Sequence, residues 1–259
     1  MSVKIHPTAI VSEDVILEDG VSIGAYAYVG DNVHMHKGVE VMHHANIVHD
    51  TEIGENTRVF PFATLGSEPQ DLKFGGERTY LKIGANTVIR EYCDFNTSTG
   101  EGSITTVGDG CYIMAYVHVA HNCSIGNNVI MANAVNLAGH VDIHDNAIIG
   151  GLTGLHQFTR VGSFAMVGAG CLIRKDIPPY AIVVSQPTKI KAFNIIGLRR
   201  NGFSEEEIAI VKELYRIVYH SKLNTAQALE KIEADFDSNE RTVKKFVDFI
   251  RSSDRGILL

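Results

Sequence analysis

The chain has 259 residues, 45% of them hydrophobic, and a formal charge of −7. That content is ample for a buried core, and the acidic balance argues against a general nucleic-acid binder, which needs a basic footprint. No apolar run approaches the roughly 20 residues of a membrane span, and the start, Met1 to Pro7, has no apolar stretch behind a basic end, so the expectation is a soluble, cytoplasmic protein without an integral membrane segment.

From the N-terminus onward the sequence is organised by a period of six. Ala9, Val15, Val21, Ala27, Val33, Val39, Ala45, Thr51, Thr57 and Ala63 hold one phase, which resumes at Leu81 and runs to Ile177. Only Pro69 and Gly75 break its small or β-branched character. Two residues after each small position sits a larger apolar one, as in Val11, Leu17, Ile23, Val29 and Met35. A helix would need a period near 3.6, and an ordinary hairpin sheet would not keep one phase for so long. The pattern predicts a β-solenoid over residues 1–187. Gly24, Gly54, Gly84, Gly108, Gly126, Gly150 and their equivalents directly follow the large residue, where the chain is expected to turn tightly.

Two stretches, near 66–80 and 100–103, put Asp71, Glu77 and Glu101 in the large apolar slots. They are expected to leave the solenoid as loops, the parts that carry binding groups on a rigid scaffold. Cys93, Cys111, Cys123 and Cys171 form no C-x-x-C pair and read as small buried hydrophobes.

After Pro178-Pro179 the period stops. Ser204-x-x-Glu207 and Asp237-x-x-Glu240 read as capping boxes ahead of amphipathic helices, with a third short helix over 225–234. A helical domain over 188–259 is expected to cover the open end of the solenoid.

The polar residues with chemical potential cluster at His118-Val119-Ala120-His121-Asn122, Leu137-Ala138-Gly139-His140 and Leu155-His156-Gln157. If three hexapeptides make one coil, His121, Gly139 and Gln157 stack on successive coils, roughly 4.8 Å apart. A histidine beneath a glycine amide suits acyl transfer to a hydroxyl, which needs a general base and a donor for the oxyanion. The remaining histidines, among them His34, His36, His43, His44 and His49, read as a solvated surface.

Ile53-Gly54-Glu55-Asn56-Thr57-Arg58 resembles the hexapeptide consensus of left-handed parallel β-helices. Beyond it, Gln70-Asp71-Leu72-Lys73, His118-Val119-Ala120-His121, Leu137-Ala138-Gly139-His140, His156-Gln157-Phe158, Asp176-x-Pro178-Pro179-Tyr180, Asn194-x-x-Gly197-Leu198 and Arg255-Gly256 occur in order. Together they resemble the UDP-N-acetylglucosamine O-acyltransferase family of hexapeptide-repeat transferases, over essentially the whole chain. The resemblance implies the first step of lipid A biosynthesis: transfer of a 3-hydroxyacyl chain from acyl carrier protein to the glucosamine 3-hydroxyl. No cofactor is implied beyond the carrier's phosphopantetheine thioester.

By the same resemblance, His121 is the general base and Gly139 supplies the oxyanion amide. Gln70, Asp71, Lys73, His118, His140, His156, Gln157, Asn194 and Arg200 hold the nucleotide sugar or donor, and Ala169 limits acyl length. The family forms homotrimers with sites between subunits, so the Asp71–Lys73 loop is expected to reach a neighbour's His121. Asn122 stands where well-known members have aspartate, Ile196 replaces an acidic residue and Ala169 a glycine.

Arg160, Arg174, Lys175, Lys189, Lys191, Arg199 and Arg200 face a single acid, Asp176, between 160 and 200, a balance that would steer an acidic carrier protein. Three rival readings stand beside this one. A related N-acyltransferase would carry a uridine-binding domain before the repeat, which here starts by Ala9. A β-helical zinc enzyme would use His118, His121 and His140 across a trimer interface. A non-catalytic scaffold would not need the polar cluster.

Overall fold

The computed structural model describes residues 2–259. Short parallel strands, mostly of two residues, wind into a left-handed β-helix whose three faces are sheets of 11, 9 and 8 strands. Successive coils pair residues 18 apart, as in His118↔Asn136 and Asn136↔Gly154. The prism is filled by the two inward residues of each strand and corner, from Val21 to Ile177, with Phe95 and the methionines Met35 and Met131 fully buried. Threonines in the small slot keep their hydroxyls satisfied: Thr57 and Thr87 donate to the carbonyls of Gly84 and Gly108, at 2.8 and 2.9 Å. A buried hydroxyl without such an acceptor would destabilise the coil.

The glycines after the large residue have a different role from the expected tight turn. None of Gly24, Gly54, Gly84, Gly108, Gly126 or Gly150 has a positive φ. A Cβ at Gly54 or Gly126 would instead come within 2.5–2.6 Å of the next coil, so glycine permits the close stacking. The left-handed residue sits two positions later, at Tyr26, Asn32, Asn56, Asn122, His140 and Phe158 among others. Asparagine and glycine tolerate that region best, and the bulkier residues there are held by the regular corner around them.

The two excursions leave the prism between the strands Thr64–Ser67 and Tyr80–Ile83, and between Asp94–Asn96 and Ile104–Val107. Glu77 ties them together by accepting from Gly75 and Gly100, both at 2.8 Å. The Gly100 amide, then two further backbone bonds, hold the Glu77 carboxyl below its ordinary range.

At the C-terminal end Ala181–Val184 continues one face, and Lys189–Phe193 pairs with it antiparallel. The sheet therefore extends by one strand past the expected boundary at 187 before helix α1 (Ile195–Arg200). Helices α2 (Glu205–His220), α3 (Thr225–Asp235) and α4 (Arg241–Arg251) follow. The Ser204/Glu207 capping box forms, and so does a second at Asn224/Gln227. The expected box at Asp237 does not: Glu240 is itself the N-cap of α4, accepting from Thr242 and Val243, while Asp237 accepts from Asn239. Tyr215 donates to Pro179 O at 2.7 Å, and Asp176 accepts from Arg160 and Ser253. These bonds fix the helices over the last coil, and no helix among the described residues is long and apolar enough to cross a membrane.

Candidate active site

His121 begins one corner of the prism, between the face carrying His118 and the face carrying Ser124. Its ring lies against Gly139 of the next coil so closely that a Cβ on residue 139 would fall 2.4 Å from His121 Cε1 and 2.5 Å from Nε2. His121 Nδ1 donates to Asn122 Oδ1 at 2.8 Å. That oxygen also accepts from the Thr99 amide (3.1 Å) and hydroxyl (2.8 Å), while Asn122 Nδ2 donates to Thr99 O at 3.1 Å. Backbone partners fix which end of the amide is oxygen, so the proton of a neutral His121 resides on Nδ1. Nε2 is left with its lone pair towards Asp71, whose Oδ2 is 3.9 Å away.

The Gly139 amide donates to no acceptor among the described residues. On another corner the amides at this hexapeptide position, in Ala85, Asp109 and Asn127, are each taken by a side-chain oxygen of the next coil at 2.7–2.8 Å, whereas those of His121, Asn133, Gly151 and Gln157 share with Gly139 the lack of an internal acceptor. What is particular to Gly139 is that its open amide stands beside the His121 ring.

His140 packs edge-on against His121, with ring centroids 5.3 Å apart, and stacks on Phe158 at 4.5 Å. Burial, then the neighbouring His121, lowers the proton affinity of His140. Both causes disfavour the imidazolium form of His140 beside His121. His118 donates from Nδ1 to Asp94 at 3.0 Å, and Ser67 donates to the same carboxylate. Burial pushes Asp94 upward, but the bonds from His118 and Ser67 outweigh it and hold the carboxyl below its usual range. His156 donates from Nδ1 to the carbonyl of Gln157 at 3.0 Å, leaving its Nε2 open.

A groove of about 390 Å³ runs from this corner across the adjoining face. Ala120, Ala138, Leu137 and Leu155 give it an apolar floor, His118 stands on the coil at one end, and His156 lies one coil below Arg174 at the other. Gly154, in the outward column of His118, Asn136 and Leu172, leaves its middle unfilled.

Not every residue expected at the site gathers there. Gln70 and Lys73 are exposed on the first loop, and Gln157 is exposed on the coil above Gly139. Asp71 Oδ2 lies 3.9 Å from His121 Nε2 of its own chain. Ala169 stacks above Gly151 and Asn133 on the far corner of the groove's face. Asn194 caps α1 by accepting from Gly197 and donates to Phe164 O on the third corner, both at 2.9 Å, so its side chain is committed internally. Arg200 is exposed at the end of α1.

The basic stretch is also smaller than its sequence balance. Arg199 pairs with Glu205 through two bonds, and Arg160 lies over Phe249 and donates to Ser252. Arg174, Lys175, Lys189, Lys191 and Arg200 remain. The cysteines are buried, and burial pushes the Cys93 and Cys123 thiols up to about 12; neither offers a thiolate nucleophile.

Thr99, Asp94, Gly154 and Arg174 are parts of the site that the motifs do not mark. Stacking by 18 would have brought Gly154 and Arg174 to His118's face. Asp94 and Thr99 lie 24 and 23 residues from their partners, because the second excursion intervenes.

Comparison with known proteins gives a consistent result. The family model described as Udp N-acetylglucosamine O-acyltransferase, domain 2, matches residues 176–258, and bacterial transferase hexapeptide repeats match 104–139. An acyl-[acyl-carrier-protein]--UDP-N-acetylglucosamine O-acyltransferase of Verminephrobacter eiseniae is 42% identical, with 98% of this chain and 99% of that protein covered. One of the same name from Thermodesulfovibrio yellowstonii is 43% identical over 98% of both. Among solved structures, the UDP-N-acetylglucosamine acyltransferase of Francisella novicida superposes with a TM-score of 0.94 at 37% identity, covering 98% of this chain and 93% of that one.

Proposed function

The chain belongs to the UDP-N-acetylglucosamine O-acyltransferase family, and on that premise we propose that it moves an acyl group from acyl carrier protein to the glucosamine 3-hydroxyl of UDP-N-acetylglucosamine, opening lipid A biosynthesis, with His121 as general base. The observation that carries this reading is one juxtaposition: an imidazole with its Nδ1 proton locked by Asn122, packed against a glycine whose amide has no internal acceptor.

In this mechanism Nε2 of His121 takes the proton of the acceptor hydroxyl as the oxygen attacks the thioester carbonyl. The Gly139 amide donates to the resulting oxyanion, where preorganised donors act most strongly. The tetrahedral intermediate collapses, the C–S bond breaks, and the imidazolium returns its proton to the departing pantetheine sulfur. An ester and the carrier thiol result, and no further cofactor takes part. Asp71, 3.9 Å from Nε2, is placed to orient the incoming hydroxyl and to stabilise the imidazolium.

The groove ending at Arg174 receives the acyl donor, and the basic residues 174–200 that lack an acidic partner meet the acidic carrier protein. The acting unit is a homotrimer. His121 and Gly139 occupy one corner, Ala169 a second, and Asn194 and Arg200 lie beside the third, so a site that uses all of them draws on more than one chain. Incubation with a panel of acyl-carrier thioesters and UDP-N-acetylglucosamine, followed by mass spectrometry, tests the reading. An O-acylated nucleotide sugar is expected; thioester consumption without that product would contradict it.

A further inference from the structure

Away from that corner, Glu18, His34 and His36 converge on another face of the prism, near its N-terminal end. His34 Nε2 and His36 Nδ1 stand 3.0 and 2.8 Å from the same carboxylate oxygen, Glu18 Oε1. Their ligand atoms all lie within 4.8 Å of one another, and no other group of three or more His, Cys, Asp or Glu does so among the described residues. We infer that this cluster binds a divalent transition-metal ion of the zinc, cobalt and nickel class.

The donor set selects the class. Two imidazoles and one carboxylate suit borderline transition metals, whereas magnesium and calcium take all-oxygen shells. Zinc–nitrogen and zinc–oxygen bonds of roughly 2.0–2.2 Å put ligand atoms a little over 3 Å apart around the ion. The two separations to Glu18, 3.0 and 2.8 Å, are already close to that and the third lies within 4.8 Å, so an ion replaces the shared hydrogen bonds with modest side-chain shifts.

The surroundings hold the ligands in place. His34 pairs in register with Ile16, two residues before Glu18, so successive coils set the spacing. The other Glu18 oxygen accepts from the Lys37 amide at 3.1 Å. His36 Nε2 lies 3.1 Å from Glu52 Oε1, and Lys82 Nζ is 3.0 Å from that same oxygen. A carboxylate on the far nitrogen of an imidazole is the arrangement that orients metal-ligating histidines. The three side chains are 28–38% exposed, which leaves water room to complete the coordination. An ion there would join the first coils, where Ile5, Ile10 and Ile16 lie exposed at the open end of the solenoid.

Titration of the full-length protein with cobalt(II), followed by visible absorption and by displacement with zinc, tests the site. One equivalent per chain is expected, with affinity at least about 10-fold weaker in His34→Ala and in His36→Ala. Glu52→Gln, which removes only the orienting carboxylate, should weaken binding roughly 10-fold at unchanged stoichiometry. Acyl transfer and the melting temperature without metal should match the wild type in all three variants, which reports that each is folded. Absence of a saturable one-to-one event in wild-type protein would overturn the assignment. So would unchanged affinity in the folded His34→Ala/His36→Ala protein, which would move the ion to His43 and His44.

Discussion

Asn122 Oδ1 accepts the Nδ1 proton of His121 at 2.8 Å, and Thr99 determines that an oxygen faces the ring. The His121 ring, the base of the proposed mechanism, is therefore oriented by a neutral amide. Asn122→Asp would add a negative charge that favours the imidazolium, so the acid limb of the kcat/KM profile should move to higher pH. The carboxylate would also set an oxygen against Thr99 O, losing the bond that Nδ2 now donates. A pH–rate profile with an unmoved acid limb, in a variant that still turns over, would show that residue 122 does not couple to the base.

Gly139→Ala tests the packing beneath the oxyanion donor. The added Cβ would fall 2.4–2.5 Å from the His121 ring, so the imidazole must swing off Asn122. Misplacement of a catalytic group by about 1 Å costs roughly 100-fold. We expect kcat to fall by about that factor while KM for the nucleotide sugar changes little. Equal loss in both would mean that the alanine disturbs substrate binding instead.

Asp71 and His121 of one chain approach to 3.9 Å, so the proposed mechanism draws both from the same chain. Mixed oligomers of Asp71→Ala and His121→Ala chains should then contain no complete site. Their activity should equal the sum of the two parents. Recovery after demonstrated subunit exchange would place the two groups on different chains.

His144 supplies a pH dependence of stability. Burial, then repulsion from Arg160, lowers its proton affinity against the opposing pull of Asp142 and Asp145, and Lys245 adds least. Its ring packs edge-on against Phe249 of α4. Folded protein thus keeps His144 neutral while the unfolded chain protonates it near its ordinary value of about 6.5. This contribution is present above that value and is lost as pH falls towards the folded one. Denaturant unfolding at pH 7 and pH 5 should show a shallower loss for His144→Gln than for wild type. An identical slope would remove His144 from the account.

The solenoid was legible because its core demands one small and one large residue in every six, and a prism cannot skip a turn without leaving a loop. Helix ends were less so. Asp237 and Glu240 match a capping box, but two backbone amides compete better for the Glu240 carboxylate when that residue is itself the cap. The stacking of His121 against Gly139 followed from 18-residue spacing. Thr99 did not, since the second excursion breaks that arithmetic. Nor did the Glu18, His34 and His36 cluster, where residues with ordinary surface character are joined only across coils.

The most direct test is acyl transfer itself, measured from acyl-carrier thioester to UDP-N-acetylglucosamine under single-turnover conditions with wild-type and His121→Ala protein. The folded variant should form the O-acyl product at least about 100-fold more slowly, the scale of a general base. A rate near that of wild type would contradict that role.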